Sequence, residues 1–341
     1  MKAMASMQSV SVELGDEVAT GPVSISYLKT ATTSTGKEPP LVLVHGFDIS
    51  SLEYRRLLPY LDAAGIEAYA PCIAGWGFTD TTNMKSVGVK GKRAALLAFH
   101  ESVVGGRPAI WVGASLGACI ALDCYKEKPS AFAGMVTLDP GFFTEAPPVV
   151  PAIIGRLLLQ NVLSAPGVRE SIAKQAYAVK ELQTEDAIRV GNLHLNRPEW
   201  EEDSLEWLLS GAYGGIDADV PRLAELPTLT LWGRDDEVIP PGPTVPQLFD
   251  ALGADYETFR WVESSGHTPH LEQPAITAAA IVAFARGEEI SGDSDVTECV
   301  AAFRRMQRIK ETAASASTAV AKVLNDSARW ALARMQDVIK D

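Results

Sequence analysis

The amino-acid sequence predicts an α/β fold, with a mostly parallel sheet and helices on both of its faces. Short apolar runs typical of strands alternate with stretches of helical periodicity, and this alternation builds parallel sheets. The chain has 341 residues, of which 47% are hydrophobic and 21% charged, as expected for a globular domain with a full core. The alternation stops between residues 141 and 221 and then resumes, which indicates an insertion.

Residues 1–140 form the first part of the predicted core. Its opening strands, Ser9–Leu14 and Pro22–Leu28, are expected to pair antiparallel. The run Pro40–Val44 is continuously apolar, which is typical of a strand buried on both faces. The remaining predicted elements here are strands at Ile66–Ile73, Ala109–Val112 and Gly134–Leu138, and helices at Ser51–Ala64, Lys90–Val104 and Leu116–Lys126.

Residues 141–221 are predicted to form a helical cap, and residues 222–287 complete the core. The insertion begins with an apolar stretch over residues 147–160, which favours a lid above an apolar site. Its helical patterns cover Pro166–Val179, Thr184–Asn192 and Trp200–Leu209. The second part of the core is predicted to contain strands at Pro227–Trp232 and Glu257–Val262, and helices at Val245–Leu252 and Pro274–Arg286.

Residues 288–341 are predicted to be a helical extension that begins with a polar linker, Glu288–Asp295. Apolar residues then recur at helical spacing, and neither proline nor glycine interrupts the run from Val296 to Asp341. One interpretation is helices that pack against the core or a second copy of the chain. The other is a docking element, for which the weakly apolar, alanine-rich stripe favours a protein partner over an anionic membrane surface.

Composition limits the partners and the compartment. The net charge of −13 argues against nucleic acid, because phosphates would be repelled. The four cysteines show no zinc-binding spacing, which favours a reducing compartment and a chain without a metal site. No apolar run reaches the length of a spanning helix. We therefore expect a soluble intracellular protein, in the cytoplasm or, if a transit peptide has been removed, in the plastid stroma.

The most informative motif is Gly113-x-Ser115-x-Gly117. It stands between an apolar strand-like run and a helix-compatible stretch, which is the context of a nucleophile elbow. The two glycines remove side chains that would collide where strand and helix pass closely.

A serine hydroxyl needs a base, and the base needs an orienting acid. His267 lies in a loop after a predicted strand and is the preferred base. Asp236 lies in the loop after the preceding strand, three residues beyond Gly233, and is the preferred acid. Asp235 and Asp139 stay as alternatives to Asp236. The order Ser115, Asp236, His267 matches one of the folds that carry this triad.

Four motifs together give the sequence its resemblance to the α/β-hydrolase superfamily, across roughly residues 20–287. They are Leu41–Asp48, Gly75–Asp80, the elbow at Ser115, and the pair Gly233-x-x-Asp236 with Gly266-His267. The stretch from His45 to Pro59 resembles hydrolases of cyanobacteria and plastid-bearing organisms in particular. One position departs from the family pattern: Cys72 stands where an aspartate is frequent, and we expect its role to be structural.

The resemblance implies a serine hydrolase without metal or organic cofactor. Ser115 would attack a carbonyl, His267 would accept its proton and Asp236 would orient the histidine. The backbone N–H groups of Phe47 and Leu116 would form the oxyanion hole. Gly46 would allow close approach of the backbone, and His45 would hold the loop.

The first functional hypothesis is a carboxylic-ester hydrolase with a small-molecule, lipophilic substrate. A carbon–carbon bond hydrolase acting on a diketone is the alternative enzyme, and a non-catalytic scaffold that binds a partner through residues 288–341 is the alternative outside catalysis. The plastid likeness makes chlorophyll-ester dephytylation or galactolipid hydrolysis conceivable. Dehalogenases and epoxide hydrolases are disfavoured, because they carry aspartate where Ser115 stands. His194, in the insertion, is interpreted as a packed or surface group.

Overall fold

The protein is described by a computed structural model. It describes residues 6–33, 37–145, 150–253, 258–297, 299–301, 305 and 308. The chain divides into two compact units, Met1–Ser294 and Asp295–Asp341.

The first unit is built on an eight-stranded sheet whose order is β1-β2-β4-β3-β5-β6-β7-β8. Strand β2 pairs antiparallel with both β1 and β4, and all the other pairs are parallel. The mostly parallel α/β fold predicted from the sequence is confirmed. The strands are β1 Gln8–Val12, β2 Val23–Lys29, β3 Leu41–Val44, β4 Ala68–Pro71, β5 Ala109–Ala114, β6 Phe132–Leu138, β7 Thr228–Gly233 and β8 Phe259–Val262.

Helices connect the strands and fill the insertion. The α-helices are α1 Leu58–Ala63, α2 Val89–Phe99, α3 Leu116–Glu127, α4 Ala152–Leu158, α5 Pro166–Ala176, α6 Glu185–Gly191, α7 Trp200–Leu209, α8 Pro241–Leu252, α9 Pro269–Glu272 and α10 Pro274–Arg286. Two of them continue as π-helices, His100–Val104 and Leu159–Leu163. Short 3₁₀ segments lie at Ser51–Arg55, Pro129–Ala131, Lys180–Leu182, Leu193–Asn196 and Ile216–Glu225.

The centre of the sheet explains where the site lies. Every residue of β3, β5 and β7 is buried, as the continuous apolar runs predict for strands covered on both faces. Val44 is in register with Gly113, and Gly233 with Val262, so these parallel strands end at one edge of the sheet. Ligands of open α/β sheets bind at this carboxyl edge.

Two local expectations are wrong. The helix predicted over Ser51–Ala64 is a 3₁₀ turn followed by α1, whose second residue is Pro59. The proposed linker at residue 288 is also misplaced, because Ile290 is buried in the core and the backbone N–H of Trp261 donates to the carbonyl oxygen of Asp293. The first compact unit therefore extends to Ser294.

The insertion is helical, as predicted, through α4 to α7. Residues 146–149, in its apolar first stretch, lie outside the described residues. Most of the predicted C-terminal stripe also lies outside them; of its residues, 297, 299–301, 305 and 308 are helical. Within the described part of the chain, no helix combines the length and apolarity needed to cross a membrane.

Candidate active site

Ser115 stands at a sharp turn between β5 and α3. Its backbone has φ +52° and ψ −120°, a conformation that costs a non-glycine residue on the order of 1–3 kcal/mol. The turn is held by neighbours, since the N–H of Ser115 donates to the carbonyl oxygen of Leu138 at 2.8 Å and its own carbonyl oxygen accepts the N–H of Gly141 at 3.1 Å. The strain and its support present the side chain at the carboxyl edge of the sheet.

The two glycines of the motif are required by close packing. A Cβ on Gly113 would lie 2.5 Å from the Cα of Ala118, and a Cβ on Gly117 would lie 2.1 Å from the carbonyl oxygen of Val44. Neither backbone atom can yield without moving the turn. A side chain at either position would therefore collide where strand and helix pass closely, the reason for which the motif predicts glycine at both.

His267 and Asp236 meet at the same edge. The Nδ1 of His267 lies 2.8 Å from Oδ2 of Asp236, and Oδ1 of Asp236 accepts the backbone N–H groups of Val238 and Ile239 at 2.8 and 2.9 Å. Because the carboxylate accepts from Nδ1, the neutral imidazole carries its proton there and keeps Nε2 free to accept one. The backbone N–H of His267 donates to the carbonyl oxygen of Ala176 in the insertion at 2.8 Å.

The two alternative acids occupy different positions. Asp235 is exposed. Asp139 is fully buried beside Asp236, and its Oδ1 accepts the N–H of Gly233 at 2.8 Å. Burial, and then the neighbouring charge of Asp236, raise the pKa of Asp139 well above its ordinary value. Burial therefore favours the protonated form of Asp139, and Asp236 is the carboxyl group in contact with the histidine.

One side-chain oxygen or nitrogen atom each of Asp139, Asp236 and His267 lie within 4.8 Å of one another, which is close enough to consider a metal site. The 2.8 Å separation between Asp236 and His267 is that of a hydrogen bond. Ligands around a tetrahedral zinc ion, each about 2.1 Å from it, stand roughly 3.4 Å apart. The geometry fits an acid–base pair better than an ion cage.

The loop after β3 carries the predicted oxyanion donor. His45 is fully buried; its Nε2 accepts the N–H of Ile73 at 2.9 Å and its Nδ1 lies 3.0 Å from the carbonyl oxygen of Gly46. Burial lowers the pKa of His45 to about 4, so the imidazole is neutral and supports the loop through these two contacts. Among the described residues, the atom nearest to a Cβ built on Gly46 would be the carbonyl oxygen of Ala114, at 3.5 Å, an ordinary van der Waals distance.

The two predicted donors come from different elements of the fold. Leu116 is the first residue of α3, where the backbone N–H has no acceptor within the helix and the helix dipole is positive. Phe47 lines the same cavity as Ser115, and its ring packs 5.2 Å from Trp76 and 4.8 Å from Trp207, measured between ring centroids.

Three buried charged residues near the site were not singled out from the sequence. Glu53 accepts the N–H of Gly46 through Oε2 at 2.8 Å, and its Oε1 lies 3.3 Å from Nε2 of His270. Lys92 donates to the carbonyl oxygen of Ala74 at 2.6 Å and lies 3.8 Å from the ring centre of Trp76. The third is Asp48, next to Phe47. Their contacts form only in the tertiary structure, so no local sequence pattern identifies these residues.

Cys72 has the structural role expected of it. Its buried Sγ donates to Oγ of Ser51 at 3.2 Å, and its carbonyl oxygen accepts from Oγ1 of Thr79 at 2.7 Å. Burial raises the pKa of the Cys72 thiol, so the group stays neutral at physiological pH.

Ser115 and His267 face a common cavity, whose volume is about 1060 Å³ when its opening to solvent is included. Phe47, Ser115 and His267 line it from the core. The insertion supplies Ile172, Ala173, Ala176 and Ile188 among other residues, and the exposed lining of the cavity is mainly apolar. The cavity can accommodate an apolar group beside the Ser115 hydroxyl and the His267 imidazole, whose Nδ1 contacts the Asp236 carboxyl group.

The sequence is similar to a family model and to individual proteins. Residues 41–280 match the model of the alpha/beta hydrolase family. The alpha/beta hydrolase domain-containing protein VTE7 of Arabidopsis thaliana is 30% identical over 253 residues, covering 73% of this chain and 74% of that protein. The pimeloyl-[acyl-carrier protein] methyl ester esterase of Methylococcus capsulatus is 26% identical over 272 residues, covering 74% of this chain and 96% of that protein.

Solved structures share the fold. An esterase from Thermogutta terrifontis superposes with a TM-score of 0.64 at 20% identity, covering 82% of this chain and 98% of the esterase chain. The meta-cleavage product hydrolase of Pseudomonas fluorescens IP01 superposes with a TM-score of 0.61 at 18% identity, covering 81% of this chain and 96% of the hydrolase chain. The family match spans well over half of the sequence and includes the elbow at Ser115, Asp236 and His267. The chain belongs to the alpha/beta hydrolase family.

Proposed function

We propose that this protein is a serine hydrolase that cleaves a lipophilic carboxylic ester through an acyl-enzyme. The proposal depends above all on one observation: the strained Ser115 and the Asp236-bound His267 line a single, mainly apolar cavity. The name of the Methylococcus capsulatus relative, a methyl ester esterase, supports carboxylic esters as the substrate class.

In the proposed mechanism Ser115 Oγ attacks the ester carbonyl while Nε2 of His267 accepts the hydroxyl proton. Asp236 keeps the imidazole in the required tautomer and stabilises the imidazolium. The oxyanion accepts hydrogen bonds from the N–H groups of Phe47 and Leu116, and each such donor contributes about 3–4 kcal/mol in the transition state. His267 then protonates the departing alkoxide, and water releases the acyl group by the reverse sequence.

The insertion acts in this proposal as a cap that covers the acyl or alkyl group of the substrate. Ile172 and Ile188 would contact that group, since both line the same cavity as Ser115. Burying one methylene group contributes about 0.8 kcal/mol, which corresponds to roughly a fourfold gain in kcat/KM per carbon while the chain stays inside the cavity.

A panel of p-nitrophenyl esters of increasing acyl length tests the proposal. We expect kcat/KM to rise from acetate towards medium-chain esters and then level off. Ser115→Ala should lower kcat by about 10⁴–10⁶-fold without unfolding the protein. Two results would refute the proposal. One is a wild-type protein that hydrolyses every ester no faster than Ser115→Ala does, and the other is a Ser115→Ala protein that keeps more than a tenth of the wild-type activity.

A further inference from the structure

Asp48 is a buried carboxylate that accepts hydrogen bonds from three donors of the insertion. Its Oδ1 lies 2.9 Å from Nε2 of His194 and 2.8 Å from Nε1 of Trp200, and its Oδ2 pairs with Arg169. The side chain of Asp48 is 3% exposed and that of His194 is 1% exposed. From the sequence, His194 is interpreted as a packed or surface group; the structure places it in this buried network.

The three donors come from three separate segments of the insertion. Arg169 lies in α5, His194 in the 3₁₀ segment Leu193–Asn196, and Trp200 at the start of α7. Burial alone would raise the pKa of Asp48, but His194, Arg169 and Trp200 together lower it to about 2. One ionised carboxylate of the core therefore ties three parts of the insertion together.

Asp48 also belongs to the loop that carries Phe47. Its backbone is in the left-handed region, with φ +49°, directly after the peptide unit of Phe47. On the other side of Phe47, the N–H of Gly46 is held by Glu53 at 2.8 Å. The residues on both sides of Phe47 are thus held by hydrogen bonds, Gly46 by Glu53 of the core and Asp48 by the donors of the insertion.

We propose that Asp48 is a positioning residue through which the insertion holds the Phe47 N–H in the orientation that the oxyanion requires. The inference rests on the proposed function, because the oxyanion role of Phe47 belongs to it. With His194, Trp200 and Arg169 in contact with Asp48, the oxyanion hole is complete. Without these contacts, the loop loses one of its two anchors, and the insertion contributes to the rate as well as to the cavity wall.

Asp203 offers a matched control. It is a buried carboxylate of α7 that joins the insertion to the core, accepting from Oγ1 of Thr81 at 2.7 Å and from Arg197 at 2.8 Å. Its hydrogen-bond partners stand outside the loop of residues 45–50. Asp203→Asn and Asp48→Asn make the same chemical change at the same boundary, and asparagine tolerates the left-handed backbone of position 48.

The experiment compares wild-type protein, Asp48→Asn, Trp200→Phe and Asp203→Asn. The measurements are kcat and KM on a short p-nitrophenyl ester, the Tm, and amide hydrogen exchange in peptides covering residues 45–50. We expect Asp48→Asn to lower kcat at least tenfold with KM within threefold, and to speed exchange in the loop. Trp200→Phe, which removes one donor, should change kcat and exchange in the same direction by less. Asp203→Asn should lower the Tm yet keep kcat within twofold.

Three results would overturn the inference: unchanged kcat in folded Asp48→Asn, equal loss in Asp203→Asn, or unchanged exchange in the loop. If Asp48→Asn fails to fold, Trp200→Phe decides by the same criteria. A wild-type protein that hydrolyses none of the esters would contradict the proposed function, and loop exchange in the variants would then decide whether Asp48 fixes the loop.

Discussion

At the scale of single residues, the site depends on how burial assigns charge between neighbours. Asp139 and Asp236 lie side by side, but only Asp236 contacts His267 and accepts two further backbone N–H groups. Burial, and then the charge of Asp236, raise the pKa of Asp139 and favour its protonated form. The carboxyl group that contacts the histidine stands where an imidazolium would form.

This assignment predicts unequal effects of three isosteric substitutions. Asp236→Asn should lower kcat by roughly 10⁴-fold, because an amide favours the wrong imidazole tautomer. Asp139→Asn replaces one neutral group with another and should cost less than tenfold, and Asp235→Asn, at an exposed position, should have almost no effect. Steady-state kinetics on one ester checks all three. A crippled Asp139→Asn with active Asp236→Asn would move the acid to the end of β6.

Lys92 gives a prediction on pH. Burial lowers its pKa to about 7 from the ordinary 10.5, so between these values the unfolded chain binds a proton that the folded chain lacks. Stability must then rise with pH across this window, by up to about 1.4 kcal/mol per pH unit, and the cost of the buried charge is fully present below pH 7. Urea unfolding of wild-type protein and Lys92→Met at pH 7, 8 and 9 should show their difference growing in favour of the wild type. A constant difference would contradict the shift.

At the scale of elements, the central strands and the elbow could be predicted because their signals are local. Buried parallel strands are continuous apolar runs, and the turn at Ser115 requires glycine on both sides. The helix predicted over Ser51–Ala64 failed because apolar periodicity does not distinguish a 3₁₀ turn from an α-helix. The contacts of Asp48 with His194 and Trp200 span about 150 residues of sequence and arise only from the tertiary structure.

Close packing at the elbow predicts that glycine-to-alanine changes in two helices differ in effect. In Gly117→Ala the new Cβ would meet the carbonyl oxygen of Val44 at 2.1 Å, so both the Tm and kcat should fall. At Gly167, in α5, a new Cβ would have no atom of the described residues within 4 Å, and alanine there should be neutral or stabilise by up to about 1 kcal/mol. Thermal unfolding of both variants is the measurement. Equal Tm values would show that the elbow adjusts more freely than its packing implies.

At the scale of the whole molecule, the boundary of the hydrolase unit lies beyond the last core helix. The segment 288–294 is joined to the core by Ile290 and Asp293: Ile290 is buried, its carbonyl oxygen accepts from Arg260 at 2.9 Å, and Asp293 pairs with Arg234. Polar composition made this segment look like a linker, since the sequence does not show which of its residues are covered.

Two truncations test that boundary. A chain ending at Ser294 should keep the Tm and ester turnover of the full chain. A chain ending at Gly287 exposes the site of Ile290 and should lose about 2 kcal/mol or more of unfolding free energy. If both truncations behave alike, the packed segment contributes nothing. A changed oligomeric state in the Ser294 chain would support a role of residues 295–341 in association, as the sequence predicts.

The central claim, that Ser115 is the nucleophile of a working hydrolase, is tested most directly by covalent labelling. A fluorophosphonate reacts with a serine only when a neighbouring base activates it. Intact-mass measurement and peptide mapping should show one adduct per chain, on Ser115, in the wild type and in Asp235→Asn. Ser115→Ala should show none, and Asp236→Asn should label far more slowly. An unlabelled wild-type protein, or an adduct that persists in Ser115→Ala, would contradict the account.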